Sequence, residues 1–353
     1  MVICCHNSAQ RLEPTLAHLA AQQVPSGLDW EVIVVDNAST DDTTQVAQAA
    51  WPANHPAGFR VIPEPRAGLS YARHRGFHEA RYDIISFVDD DNWVCPEWVR
   101  LVTEVLNEHP EVGACGGCQE EVCEIEPPAW FDQYKTGYAV GPQAEAPGVM
   151  TGIWDCLGGA GMSIRRSAWE QLLDRGFHPL LAGRQGSALT SGEDVEFMYV
   201  LRLAGWSLYY EPRMRIRHFI PAGRLQWSYL RRLRRGGGAS TVGLDPYSFA
   251  LLGTDRSLKE RLRRTWLWQM GRTLKGLAQY RLKMLLSPRA PVEGDPNVLE
   301  VEHFTGRLTE LIRRRKVYAQ HIREVQNTSW KAGPASVSSP VRVARCEGAS
   351  EKA

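Results

Sequence analysis

No apolar run in the 353-residue sequence approaches the roughly 20 residues that a bilayer-spanning helix needs. That excludes a transmembrane helix. Charge of a prevailing sign is missing too: 41 Lys and Arg against 40 Asp and Glu leave a net +1, too little for a generic nucleic-acid binder. No secretory leader is expected, because Met1 runs straight into the strand-like Val2-Ile3-Cys4-Cys5. The expectation is a cytoplasmic protein whose first strand lacks a residue or two. The eight cysteines, at positions 4, 5, 95, 115, 118, 123, 156 and 346, are then expected as thiols and not as a disulfide framework. Cys115-Gly-Gly-Cys118 has no second CxxC pair and no nearby His, so small residues of a buried strand are a better reading than a zinc site.

What is present is an ordinary globular composition, 43% hydrophobic and 23% charged, long enough for one large domain with appendages or for two. The first half alternates strand and helix signals with short connections, the pattern of an α/β sheet flanked by helices. Strands are expected at Val2–Cys5, Glu31–Val35, Phe59–Ile62 and Ile84–Val88. Helices are expected from Pro14, from the Ser39/Asp42 capping pair to Trp51, over 68–76, and over 96–107 with Trp98, Leu101, Val102 and Val105 on one face. Strand resumes at Val112, a Pro/Gly-punctuated loop covers 127–150, and Gly158-Gly-Ala-Gly161 precedes the strand-like Met162–Ile164. That cluster is read either as close backbone approach to a ligand or as a bulged strand. Ser191 and Asp194 have capping spacing for a helix ending at Gly205, after which Trp206–Pro212 and Arg215–His218 read as separate extended pieces.

The acidic stretch Asp89-Asp90-Asp91-Asn92 follows the Ile84–Val88 strand. In extended backbone Asp89 and Asp91 share one face and Asp90 takes the other. Two carboxylates about 6–7 Å apart repel by roughly 2–3 kcal/mol at an effective dielectric near 20, and a divalent cation beside an anionic ligand reverses that sign. The plain alternative is a solvated turn. Asp36 also sits at a strand's carboxyl end, where open α/β sheets bind ligands. Asp194, in a helix's first turn, is either part of a cap or a rigidly held base. His218 reads as structural when taken alone.

These segments together resemble the family-2-type glycosyltransferases. Val-Asp36-Asn-Ala-Ser-Thr-Asp-Asp is similar to that family's second-strand signature, Gly68-Leu-Ser-Tyr-Ala-Arg73-His-Arg-Gly76 to its next helix, and Phe-Val-Asp89-Asp-Asp91-Asn to its DxD motif. Gly192-Glu-Asp194-Val-Glu-Phe resembles its ED motif, and His218 with Arg224 and Tyr229-Leu-Arg-Arg its downstream segment. The match covers roughly residues 1–240. The resemblance implies a GT-A fold, an inverting mechanism, a UDP- or GDP-type nucleotide-sugar donor, and Mn²⁺ or Mg²⁺ as cofactor. By position it implies Asp36 at the nucleobase, Arg73 at the ribose or diphosphate, Asp89 and Asp90 in the ribose or metal region, Asp91 and Asp89 as metal ligands with His218 beside them, and Asp194 as the base. Cys4-Cys5-His6-Asn7 departs from the family's usual residues after the first strand. The implied acceptor is a glycan or lipid-linked molecule in cell-envelope polysaccharide or glycoconjugate synthesis, and donor and acceptor identity would be read by loops such as 127–150 and 178–192. Two other classes compete: a sugar nucleotidyltransferase, which normally carries a Gly-rich phosphate loop absent here, and a catalytically silent assembly subunit.

The domain expectation is a catalytic unit over 1–240, a basic helical extension over 241–330 and a disordered tail over 331–353. The extension, with Arg263, Arg264, Arg272, Lys275, Arg281 and Lys283 among leucines, is either packed on the catalytic unit with its cations in water or laid on the cytoplasmic face of a membrane.

Overall fold

The computed structural model describes residues 1–181, 192–253, 257–287 and 290–331. Ser191, expected to cap a helix, Cys346, and the tail beyond Lys331 lie outside the described residues.

Strand β1 (Val2–Cys5) leads to helix α1 (Leu12–Ala20), β2 (Glu31–Asn37), α2 (Thr43–Ala50), β3 (Gly58–Glu64), α3 (Leu69–Glu79) and β4 (Ile84–Asp89). Then come β5 (Asn92–Val94), α4 (Trp98–Glu108), β6 (Val112–Cys123), α5 (Phe131–Tyr134), β7 (Gly148–Val149), β8 (Ser163–Arg165), α6 (Arg166–Asp174), α7 (Glu193–Leu203) and β9 (Ser207–Ile220). The remaining helices are α8 (Trp227–Leu251), α9 (Leu258–Arg263), α10 (Trp266–Leu286), α11 (Pro296–Arg313) and α12 (Tyr318–Asn327). The strands form one mixed sheet in the order β3-β2-β1-β4-β8-β6-β9-β5, with β7 paired to β9. Strands β3, β2, β1 and β4 run parallel, and β8 is antiparallel to both β4 and β6.

Period-two alternation divides the apolar residues between the two faces of this sheet. Val2, Ile33, Val35, Ile85 and Phe87 pack with α3, α6 and α7 through Ala72, Phe77, Leu172 and Met198. Ile3, Val32, Val34 and Val88 pack with Leu12, Leu16 and Leu19 of α1 and with Trp98, Leu101, Val102 and Val105 of α4. Both faces of the parallel half are therefore covered, and β2, β3 and β4 end in the polar residues Asn37, Glu64 and Asp89.

Three features differ from the sequence expectation. The pieces at 206–212 and 215–218 are a single strand, β9, in which residues 211–214 stand opposite Gly117 between the registers Gly116↔Tyr210 and Cys118↔Arg215. A Cβ on Gly117 would lie 1.7 Å from the Met214 carbonyl oxygen, so glycine is required there. Pro212, which has no N–H to donate, is tolerated within this irregularity. Second, the 127–150 loop contains α5 and a 3₁₀ turn, Lys135–Tyr138, because Phe131 and Tyr138 bury against Ile220, Leu225 and Leu230. Third, α8 runs unbroken through residue 240, tying the sheet unit to the helices that follow. Its crossing with α11 is close: a Cβ on Gly238 would meet the His303 carbonyl oxygen at 2.0 Å, and one on Gly306 the Arg235 oxygen at 1.9 Å.

Candidate active site

The acidic stretch splits its side chains between two directions. Asp90 turns toward α1, where Oδ2 accepts from the Ser8 hydroxyl and pairs with Arg11 at 2.8 Å. The Thr15 hydroxyl donates to its backbone oxygen at 3.0 Å. Asp91 turns toward β9, because β5 pairs Asn92 with His218 and the Phe219 N–H donates to the Asp91 carbonyl at 2.8 Å. Arg224 Nη1 donates to Asp91 Oδ2 at 3.0 Å, and His218 Nε2 lies 3.8 Å from the same oxygen. The His218 Nδ1 is 3.0 Å from the Tyr138 carbonyl oxygen. A carbonyl only accepts, so Nδ1 carries a proton, and in the neutral ring Nε2 then presents a lone pair. Arg224 Nη1 is also 3.4 Å from Nε2. One cationic nitrogen thus sits between a carboxylate oxygen and an imidazole lone pair, both of them metal-ligand atoms.

Across the same cleft, Asp194 occupies the first turn of α7, where the helix dipole favours its charge. Its Oδ2 accepts the Gly159 N–H at 3.0 Å. A Cβ on Gly159 would stand 2.8 Å from Arg73 Nη2 and 3.1 Å from Asp194 Oδ2. Close approach is therefore what the glycine cluster serves at Gly159, and the approach is to this carboxylate and guanidinium. Gly161 answers to packing instead, at φ 76° with Ile216 and Trp98 against it. Arg73, on α3, pairs with Glu193 at 3.5 Å. Burial opposes its charge, but the Glu193, Asp89 and Asp194 carboxylates outweigh that and hold the guanidinium protonated beyond its ordinary range. Asp89, Asp90, Asp91, Arg73, Asp194, His218 and Arg224 all line one cavity of about 550 Å³, and residues 136–143 of the 127–150 segment form part of its wall.

Residues 1–173 match the family model for glycosyl transferase family 2. These residues are a family 2 glycosyltransferase domain. The succinoglycan biosynthesis protein ExoM of Rhizobium meliloti (strain 1021) is 27% identical over 236 residues, spanning 66% of this chain and 71% of that protein. The uncharacterized glycosyltransferase YibD of Escherichia coli (strain K12) is 30% identical over 128 residues, 35% of this chain and 37% of its own length. Among solved structures, mannosyltransferase PcManGT from Pyrobaculum calidifontis, in complex with GDP-Man and Mn²⁺, superposes with a TM-score of 0.51 at 16% identity, covering 90% of this chain and 86% of that one. The fold is GT-A, and the protein is a glycosyltransferase. The nucleotidyltransferase reading falls with this match.

Within the glycosyltransferase, the other expected donor residue lies off the cleft wall. Asp36 ends β2 with Oδ1 accepting the Ser39 N–H at 3.2 Å and Oδ2 the Thr44 hydroxyl at 2.5 Å. That arrangement replaces the expected Ser39/Asp42 capping pair: the N-cap Asp42 makes no side-chain capping bond, and Asp41 accepts the Thr43 N–H at 3.1 Å instead. His6, which lines the cleft, bonds the neighbouring Asn37 carbonyl at 2.7 Å. Cys115 and Cys118 are residues of β6, and burial pushes the Cys115 thiol up to about 12.

Glu196, two residues after Asp194 in the same first turn of α7, is not singled out by its motif. It accepts from the Tyr247 hydroxyl and the Leu180 N–H, both at 2.6 Å, and from the Leu181 N–H at 3.0 Å. It thereby joins α7 to α8 and to the backbone at Leu180 and Leu181. Burial pushes its carboxyl up from 4.5 to about 7 against those three donors. A raised carboxyl binds its proton more tightly in the folded than in the unfolded chain, so folding stability falls as pH rises from about 4.5 to about 7 and levels off above. Glu196→Gln should flatten urea-unfolding midpoints measured across that window. An unchanged slope in the variant would place the titrating group elsewhere.

Proposed function

We propose that the enzyme is a divalent-cation-dependent, inverting glycosyltransferase that moves a sugar from a UDP- or GDP-linked donor to a hydroxyl of a glycan or lipid-linked acceptor in polysaccharide or glycoconjugate synthesis. One observation carries the reading: Asp194 and the acidic stretch after β4 line one cavity together with Arg73 and Arg224. Asp194 accepts the acceptor hydroxyl's proton as that oxygen bonds to the anomeric carbon, the bond from that carbon to the diphosphate oxygen breaks on the opposite face, and configuration inverts. The Gly159 N–H fixes the carboxylate's orientation for this step. Arg73 and Arg224 bind diphosphate oxygens, Asp89 and Asp90 face the ribose side, and Asp36 orders the loop that meets the nucleobase.

Among the described residues, no cluster of three or more His, Cys, Asp and Glu side chains is assembled as a complete ligand set. The residues nevertheless fit a donor-completed cation. Mg²⁺ and Mn²⁺ sites often use one or two carboxylates with substrate phosphates, and here Asp91 Oδ2 and the His218 lone pair already share a positive group, the Arg224 nitrogen. Asp91, with Asp89 and His218, would hold the ion, whose chemistry when bound is to neutralise charge on the departing diphosphate. The likeness to ExoM supports a polysaccharide acceptor.

Isothermal calorimetry with UDP and GDP, with and without Mn²⁺, tests the donor site. One nucleotide should bind, and more tightly with the ion. Binding of neither, together with no slow hydrolysis across a nucleotide-sugar panel, would end the proposal.

A further inference from the structure

The basic residues of the C-terminal helices divide into two groups that the sequence alone does not separate. On α8, Arg231 pairs with Glu302 at 2.6 Å and Arg234 with Glu300 at 2.6 Å, and Arg235 also reaches Glu302. Those cations are matched inside the fold by α11. Helix α10, in contrast, contains no acidic residue along its 21 positions. Its inner side is packed: Gln269, Thr273 and Leu277 are buried, the Trp266 indole donates to the Leu311 carbonyl at 2.7 Å, and a Cβ on Gly276 would stand 2.4 Å from the Phe304 ring.

Its outer side is apolar and open. Leu267, Leu274, Leu282 and Leu285 fall on one stripe opposite the packed one by helical periodicity, with Leu267 75% and Leu285 81% exposed. Trp268 and Leu286, both exposed, widen the stripe, and Arg272, Lys275, Arg281 and Lys283 flank it. Among the described residues, ten of the sixteen exposed large apolar side chains lie between Leu252 and Val292. Exposed apolar surface gathered on one helix and rimmed by cations marks an interaction site. No helix among the described residues is long and apolar enough to cross a membrane.

We propose that the outer face of α10 docks in the plane of an anionic lipid surface. The leucines and Trp268 enter the acyl boundary while the Arg and Lys stems extend to lipid phosphates. Charge selects this occupant over a second copy of the chain: two α10 faces brought together would oppose cations with cations and supply no acid to pair them. An anionic bilayer supplies both the apolar layer and the counter-charge.

Flotation of the full chain with phosphatidylcholine vesicles and with mixed phosphatidylcholine/phosphatidylglycerol vesicles tests this. Partitioning should favour the anionic vesicles by about tenfold or more, and raising salt should weaken it. Leu282→Glu with Leu285→Glu should lower that partitioning by about tenfold or more, while circular dichroism and UDP or GDP binding stay as in the parent. These substitutions are on the exposed face, so they leave the packed face of α10 intact. No flotation with anionic vesicles, or equal flotation of parent and variant, would overturn the proposal. So would a parent that sediments as a dimer and a variant that sediments as a monomer, since the face would then be a self-association surface.

Discussion

Replacing Asp194 with Asn is expected to lower sugar transfer by about 10²–10⁴-fold, the usual contribution of a positioned general base, with nucleoside-diphosphate binding unchanged. The amide keeps the size of the carboxylate, and its oxygen still accepts the Gly159 N–H that Asp194 Oδ2 accepts at 3.0 Å. What it loses is the ability to take a proton. Because Asp194 acts on the acceptor side, the loss should appear in kcat for transfer and leave the calorimetric affinity for UDP or GDP alone. A variant with parental turnover would move the base to another carboxylate. Glu193 is the nearest candidate, and its engagement with Arg73 at 3.5 Å makes it the poorer one, since an ion-paired carboxylate gives up charge interaction when it accepts a proton.

Strand ends and helix starts were the most legible parts of the site. Asp89 and Asp194 could be placed because an apolar run fixes where a buried strand stops and a first-turn acid fixes where a helix begins. Their relation to one another could not. The Gly159 contact with Asp194 joins residues on different elements, and glycine's role there is the missing Cβ that would collide with Arg73. Close approach is a property of pairs, so no local pattern announces it. The same holds for Gly238 and Gly306 at the α8–α11 crossing and for Gly117 against Met214. His218 looked structural by itself because its partners, Asp91 and the Tyr138 carbonyl, come from β4's end and from a segment that reads as loop. The basic C-terminal helices were ambiguous for a related reason: composition counts cations, and only packing shows that Glu300 and Glu302 pair with Arg231, Arg234 and Arg235 of α8.

Replacing Asp91 with Asn is expected to reduce transfer by at least about a hundredfold, as loss of a metal ligand removes several kcal/mol of charge stabilisation at the leaving group. In calorimetry, Mn²⁺ should no longer tighten nucleotide binding. The substitution removes the anion that Arg224 and His218 both face, yet it keeps the side chain's volume, so the fold should persist. Asp90→Asn is the informative contrast. Its carboxylate is bound to Ser8 and Arg11, on the α1 side, so its main effect should be a stability loss of about 1–3 kcal/mol from weakened hydrogen bonds to a buried group, with Mn²⁺-dependent tightening retained. The Arg224 nitrogen gives this pair of variants a second use. If the parent transfers sugar at full rate in excess chelator, the guanidinium is the resident cation of the site, and Arg224→Met should then lose as much activity as Asp91→Asn. If the ion is required, Asp91 and His218 would hold it and it would neutralise charge on the diphosphate. Arg224 would then serve the diphosphate, and Arg224→Met should bind Mn²⁺ at least as tightly as the parent while still losing transfer.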